Sequence, residues 1–223
     1  MTAMPSIQAK ICGLSTAESV AAAVAGGAAH LGFNFYKPSP RYVTPQDAAA
    51  LCVAVPPGIT RVGLFVDADD TMLAGALAEA PLDLLQFHGS ESPERVAAVR
   101  GRFARPVMKA IAIAEPEDVA AAERYFAVAD WLLFDAKPPR RPDALPGGNG
   151  LAFDWRLLAG RRFPLPWMLS GGLEAATVGE AVRLTGAPAV DVSSGVETAP
   201  GVKDPEKIAA FLAAVRAIGT AAG

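Results

Sequence analysis

The chain has 223 residues with a formal net charge of -3, and 52% hydrophobic against 19% charged residues exclude a disordered or fibrous protein. Mild acidity gives no basic stripe for nucleic acid or an anionic membrane surface, so a small-molecule partner is expected. Two cysteines, Cys12 and Cys52, and two histidines, His30 and His88, make neither a disulfide framework nor a zinc-site spacing, and a reducing cytoplasm is the expected compartment.

In chain order, the start Met1 to Pro5 lacks a charged segment backed by an apolar core. No stretch approaches the roughly 18 consecutive apolar residues of a membrane span, so neither export nor anchoring is expected. Ile7 to Ile11 is the first of eight short apolar, β-branched or aromatic runs, and Ser15 with Glu18 three residues on predicts the first helix start. Leu31 to Phe35 follows, then the N-cap and N1 proline pair Thr44-Pro45, with Cys52 in the apolar helical stretch Ala48 to Val55, a core position. Arg61 to Val66 and Leu82 to Phe87 are the third and fourth runs, and Ser92-Pro93 opens the next helix. Val107 to Ile111, Trp131 to Phe134, Trp167 to Leu169 and Ala189 to Val192 complete the set, before a last helix at Asp204-Pro205. The runs do not alternate cleanly, as expected of parallel strands covered on both faces. Lys137 to Gly150, rich in Pro, Arg and Gly, reads as one long loop after the sixth strand, where a mobile functional loop would lie.

Strand, loop and capped helix repeated eight times predict an α/β chain folded as a single-domain (β/α)8 TIM barrel over residues 1–223, near the lower size limit of that fold. A doubly wound open sheet is the alternative, but it usually needs fewer strands, and no G-x-G-x-x-G follows the first run. In a barrel, chemistry belongs to residues just past the strands. Cys12 ends the first run ahead of Gly13; it is either a small buried hydrophobe or, with positive charge beside it, a thiolate base. Asp135 follows four apolar residues and is either an N-cap or ion-pair partner of Lys137, or a half-buried general acid facing Cys12 across the mouth. A base and an acid so placed suit an isomerase.

Strand seven runs into Ser170-Gly171-Gly172 and strand eight into Asp191-Val192-Ser193-Ser194-Gly195-Val196-Glu197. Loops without side-chain bulk at those two positions predict a phosphate grip at Gly171, Gly172, Ser194 and Gly195, with Asp191 a substrate-binding candidate beside it. Arg41, held by Pro38 and Pro40, is either a solvated surface residue or a guanidinium that pairs with a substrate carboxylate. His88, ending strand four, either bonds ligand or satisfies a backbone carbonyl, and Asp67 is either a helix cap or a site residue.

Together the stretches Lys10-Ile11-Cys12-Gly13, Gly32-Phe33-Asn34-Phe35-Tyr36, Ser39-Pro40-Arg41-Tyr42, Val62-Gly63-Leu64-Phe65-Val66, Gln86-Phe87-His88-Gly89, Phe134-Asp135, Phe153-Asp154-Trp155, Leu169-Ser170-Gly171-Gly172-Leu173 and the strand-eight motif closely resemble the phosphoribosylanthranilate isomerase family of tryptophan biosynthesis. The resemblance spans nearly the whole chain in the family's order. It implies an Amadori rearrangement of N-(5-phosphoribosyl)anthranilate without metal or organic cofactor, with Cys12 as general base and Asp135 as general acid. It also implies Arg41 near the anthranilate carboxylate and the glycine loops on the phosphate. The implied partner is a small phosphorylated molecule, with no nucleic acid and no membrane, and the chain would act as monomer or homodimer. Two departures stand out: Asn149 in Gly147-Gly148-Asn149-Gly150 where threonine is usual, and Phe87 where leucine is commoner. The sister isomerase of the histidine pathway resembles this family in fold but uses an aspartate base where this chain has Cys12. A barrel that binds a phosphorylated ligand without catalysis is the other alternative.

Overall fold

All eight apolar runs form strands, and all eight are parallel. A computed structural model describes residues 7–139 and 145–220; the start Met1 to Pro5 and the middle of the Lys137 to Gly150 loop lie outside them. The strands are β1 (Gln8–Cys12), β2 (His30–Asn34), β3 (Thr60–Phe65), β4 (Leu84–Phe87), β5 (Val107–Ile113), β6 (Trp131–Ala136), β7 (Trp167–Leu169) and β8 (Ala189–Val192). They pair in sequence order, and β8 returns to β1 from Gln8↔Ala189 through Ile11↔Val192, closing the barrel. The ladder is uneven. β5 and β6 run from Met108↔Trp131 to Ile113↔Ala136, whereas β7 and β8 share the one register pair Leu169↔Val190.

Helices α1 (Ala17–Ala25), α2 (Pro45–Cys52), α3 (Asp70–Glu79), α4 (Pro93–Phe103) and α5 (Pro116–Ala120) follow the first five strands, and α6 (Val178–Thr185) and α7 (Pro205–Thr220) follow β7 and β8. Between β6 and β7 the described residues contain a single 3-10 turn, Trp155–Leu158, in place of an α-helix. Thr44 and Ser92 cap as expected, accepting from Asp47 N at 3.1 Å and Arg95 N at 3.3 Å, and Asp204 accepts from Glu206 N at 2.9 Å. The first helix starts one residue later than the Ser15–Glu18 pairing predicts. Thr16 has the extended backbone of a cap (φ -133°, ψ 151°), its hydroxyl accepts from Ser19 N at 3.2 Å, and the Ser19 hydroxyl takes the role expected of Glu18.

Strand burial on both faces produces two nested cores. Between barrel and helices lie Leu31, Phe33, Phe65, Phe87, Phe134 and their helix partners, among them Val20, Val96 and Phe211. Phe87 is fully buried there with its ring edge-on to Phe65, centroids 6.5 Å apart, so this departure from the commoner leucine fills outer-core volume. Inside the barrel, Val62, Leu84, Met108, Leu133, Met168 and Ala189 form a separate apolar plug. Side chains alternate along a strand, so the inward residue two positions on from each plug residue faces the mouth. Those positions hold Leu64 on β3, Gln86 on β4, Asp135 on β6, Ser170 just past β7 and Asp191 on β8. The apolar plug closes the floor, and the layer above it, polar apart from Leu64, faces the mouth.

Candidate active site

A cavity of about 740 Å³, its open mouth included, lies over that polar layer and is lined by Cys12, Arg41, His88, Asp135, Asp191, Gly171, Gly172, Ser194 and Gly195. Every site residue expected from sequence except Asp67 borders it. Asp67 instead braces the β3 and β4 loops: its amide donates to Glu91 Oε1 at 2.8 Å and its carboxylate accepts from Ser90 N at 2.8 Å. The cap of α3 is Asp69, which accepts from Met72 N. Cys52 is buried in α2, and burial first of all pushes its thiol up to about 11.

Cys12 is buried at the end of β1. Lys10, two residues back and on the same inward face, forms a fully buried ion pair with Asp191, Nζ to Oδ1 2.8 Å. Ser170 Oγ donates to the other oxygen of Asp191 at 3.3 Å. Burial pushes the Cys12 thiol above its ordinary value; Lys10 works against that shift, Asp191 adds to it, and Lys203 opposes it more weakly. Lys203 donates to Glu197 Oε1 at 2.6 Å and to Ser193 O at 2.9 Å.

Asp135 does not pair with Lys137, which reaches Asp118 at 2.9 Å. Its Oδ2 lies 3.2 Å from His88 Nε2, and His88 Nδ1 lies 3.0 Å from Gln86 Nε2. His88 thus bridges Gln86 and Asp135, one ring nitrogen to each. The loop after β6 rests on this pair. A Cβ at Gly147 would stand 2.6 Å from His88 Nε2 and 3.0 Å from Asp135 Oδ2, so only glycine lets the chain pass. Asn149 ties the same loop, donating from Nδ2 to Leu145 O at 2.7 Å.

Arg41 is positioned differently from expectation. Its guanidinium makes a buried bidentate pair with Glu197, Nε to Oε1 and Nη2 to Oε2 both 2.8 Å, and Nη2 also donates to Gly148 O at 3.1 Å. The fork read as meeting a substrate carboxylate is therefore filled by a protein carboxylate, and Nη1 is the donor nitrogen left without an acceptor among the described residues. Asn34 and Ser39 also hold this loop. Asn34 Nδ2 donates to Ser39 Oγ at 3.1 Å, and Ser39 Oγ accepts from Arg41 N at 3.2 Å.

Across the cavity, the backbone amides of Gly171, Gly172, Ser194 and Gly195 find no acceptor among the described residues. Gly172 has a left-handed backbone (φ 65°), and a Cβ there would stand 2.8 Å from Ala152 N. The Ser194–Val196 3-10 turn adds its N-terminal end to the same spot, the arrangement by which many barrels bind phosphate. The model of the N-(5'-phosphoribosyl)anthranilate (PRA) isomerase family matches residues 9–214.

The chain belongs to that family. It is 58% identical over 208 residues to N-(5'-phosphoribosyl)anthranilate isomerase of Paracoccus denitrificans, covering 93% of this chain and 96% of that protein. The Rhodospirillum centenum isomerase is 57% identical, covering 95% and 99%. Among solved structures, the Thermotoga maritima phosphoribosyl anthranilate isomerase superposes with a TM-score of 0.84 at 34% identity, covering 95% and 99%. A phosphoribosyl anthranilate isomerase in complex with reduced 1-(o-carboxyphenylamino)-1-deoxyribulose 5-phosphate is similar at TM-score 0.82 and 32% identity, with the same coverage.

Sequence reasoning passed over Lys10, Lys203, Gln86 and Glu197 as functional residues. For Lys10 and Gln86 a signal existed, since each lies two residues before a candidate and so shares its face of the strand. Glu197 pairs with a residue 156 positions away, which no local pattern reports.

Proposed function

We propose that this chain carries out the reaction of its family, the Amadori rearrangement of N-(5-phosphoribosyl)anthranilate to 1-(2-carboxyphenylamino)-1-deoxyribulose 5-phosphate, an aldose-ketose isomerisation in tryptophan biosynthesis. The observation that carries the reading is that Cys12 and Asp135 share one cavity whose rim is a set of unpaired loop amides. The substrate phosphate sits on the amides of Gly171, Gly172, Ser194 and Gly195, and Arg41 Nη1 faces the anthranilate carboxylate. Asp191 and His88 border the sugar between them.

Asp135 protonates the furanose ring oxygen while the lone pair of the anthranilate nitrogen expels that oxygen from C1, giving a Schiff base. Cys12 as thiolate takes the proton from C2, and the C–H electrons form the C1–C2 double bond as the nitrogen regains its lone pair. The resulting enolamine loses its C2 hydroxyl proton and gains one at C1, giving the ketone. The substrate nitrogen is the electron sink, so the protein supplies proton transfer and orientation. The partner is a small phosphorylated molecule, with no nucleic acid or membrane surface involved, in a cytoplasmic enzyme acting as monomer or homodimer. No described helix is long and apolar enough to cross a membrane.

Turnover followed by loss of anthranilate fluorescence tests the reading. Cys12→Ser and Asp135→Asn are each expected to lower kcat by about 100-fold or more, the scale of a lost acid or base. Near wild-type turnover in Asp135→Asn removes the acid assignment, and turnover of the histidine-pathway aminoimidazole instead removes the substrate assignment.

A further inference from the structure

The buried pair Lys10–Asp191 reaches from beneath Cys12 to the cavity: Asp191 borders it, and Lys10, two residues back from Cys12 on the same face of β1, does not. We propose that Lys10 is the positioning residue of the Cys12 thiolate, a fixed cation under the sulfur that makes a buried thiol usable as a base, with Lys203 a weaker second cation. The proposal rests on the reading of Cys12 as the base.

Three observations support it. Lys10 and Cys12 are neighbours on the inward face of β1, and they meet over a residue without a side chain: a Cβ at Gly32 would lie 3.1 Å from Cys12 Sγ and 3.2 Å from Lys10 Cε. Lys10 is also fixed in place. Asp191 is its register partner on β8, so the 2.8 Å contact links two adjacent strands at one level of the barrel, and Ser170 holds the second oxygen. Finally, the charged groups that act on the sulfur are Lys10 on β1, Asp191 on β8 and Lys203 after β8, and of the two cations Lys10 acts more strongly. Lys203 is itself paired with Glu197, Arg41 packs the aliphatic part of its side chain on Gly13, and Asp135 and His88 line the same cavity. His30 on β2 faces Lys10 from the floor and is held neutral by burial and by that cation.

The test reads the thiol directly. In a Cys52→Ser background, carbamidomethylation of Cys12 by iodoacetamide is followed by mass spectrometry against pH. Lys10→Met is expected to move the midpoint to higher pH and slow labelling about tenfold at a fixed pH below it, with the high-pH plateau unchanged. Lys203→Met gives a smaller displacement, and Lys10→Arg restores the parental midpoint. A Lys10→Met protein that titrates at the parental midpoint overturns the proposal, as does a changed plateau with an unmoved midpoint, which marks altered access alone. Lys10→Met leaves Asp191 buried without its cation; if that variant does not fold, Lys10→Met/Asp191→Asn removes both charges, and because Asp191 raises the thiol where Lys10 lowers it, the expected displacement is in the same direction but smaller than about tenfold. Loss of fold in both assigns the pair a purely structural role. Unchanged turnover in Cys12→Ser removes the base reading while leaving this titration readable, so the two failures are distinct.

Discussion

His30 begins β2 with its ring edge-on to Trp131, centroids 5.5 Å apart, and its Nδ1 has no hydrogen-bond partner. Burial first, and the Lys10 charge second, push its pKa down from 6.5 to about 4. Between those values the unfolded chain binds a proton that the folded one does not, so this contribution to stability is whole above 6.5 and is lost as pH falls toward 4. His30→Gln is expected to flatten that slope, recovering about 2 kcal/mol of the loss between neutral pH and pH 5, measured from urea midpoints at the two pH values. At the site, Cys12 and Asp135 were legible because a polar residue closing an apolar run announces itself. Arg41 was legible as a position but not as an interaction, because its partner Glu197 arrives through the closure of the barrel. Lys10 was hidden by the apolar run around it.

The strands were legible because burial on both faces writes an unbroken apolar run, and each predicted run differs from its strand by a few residues at most. Helix starts were legible where a hydroxyl precedes proline, as at Thr44 and Ser92, and shifted by one where Ser15 and Thr16 compete. Two elements escaped. The sixth crossover has a 3-10 turn where an eightfold repeat predicts a helix, and β9 (Glu197–Ala199) with β10 (Val202–Lys203) forms an antiparallel hairpin too short to leave a periodic signal. That hairpin carries Glu197 to Arg41 and brings Lys203 back to the same carboxylate. Burial opposes the charge on Glu197, yet the two cations hold its carboxyl below the usual range. Glu197→Ala leaves both cations buried without their anion and is expected to cost about 3 kcal/mol by urea unfolding. It should also raise KM more than it lowers kcat, because Arg41 loses its orientation.

On the scale of the whole barrel, closure separates an apolar floor from a polar mouth, and the function follows from which inward layer each residue occupies. That layering was readable in outline, since eight βα units in 223 residues leave little chain beyond the strand ends for chemistry. The depth of each residue was not readable, because it depends on register between strands distant in sequence, as with Lys10↔Asp191.

The staves of this cask are unevenly hooped. β7 and β8 are joined at Leu169↔Val190, and the loops that leave these two strands are the ones whose amides face the proposed phosphate. A dianion straddling them would act as a rivet across the loosest joint, tying ligand occupancy to the integrity of the wall. Amide hydrogen exchange in β7, β8 and their loops should therefore be the fastest in the barrel wall of the free protein and slow markedly with inorganic phosphate. Equal protection of that joint with and without phosphate would separate the binding loops from the mechanics of the wall.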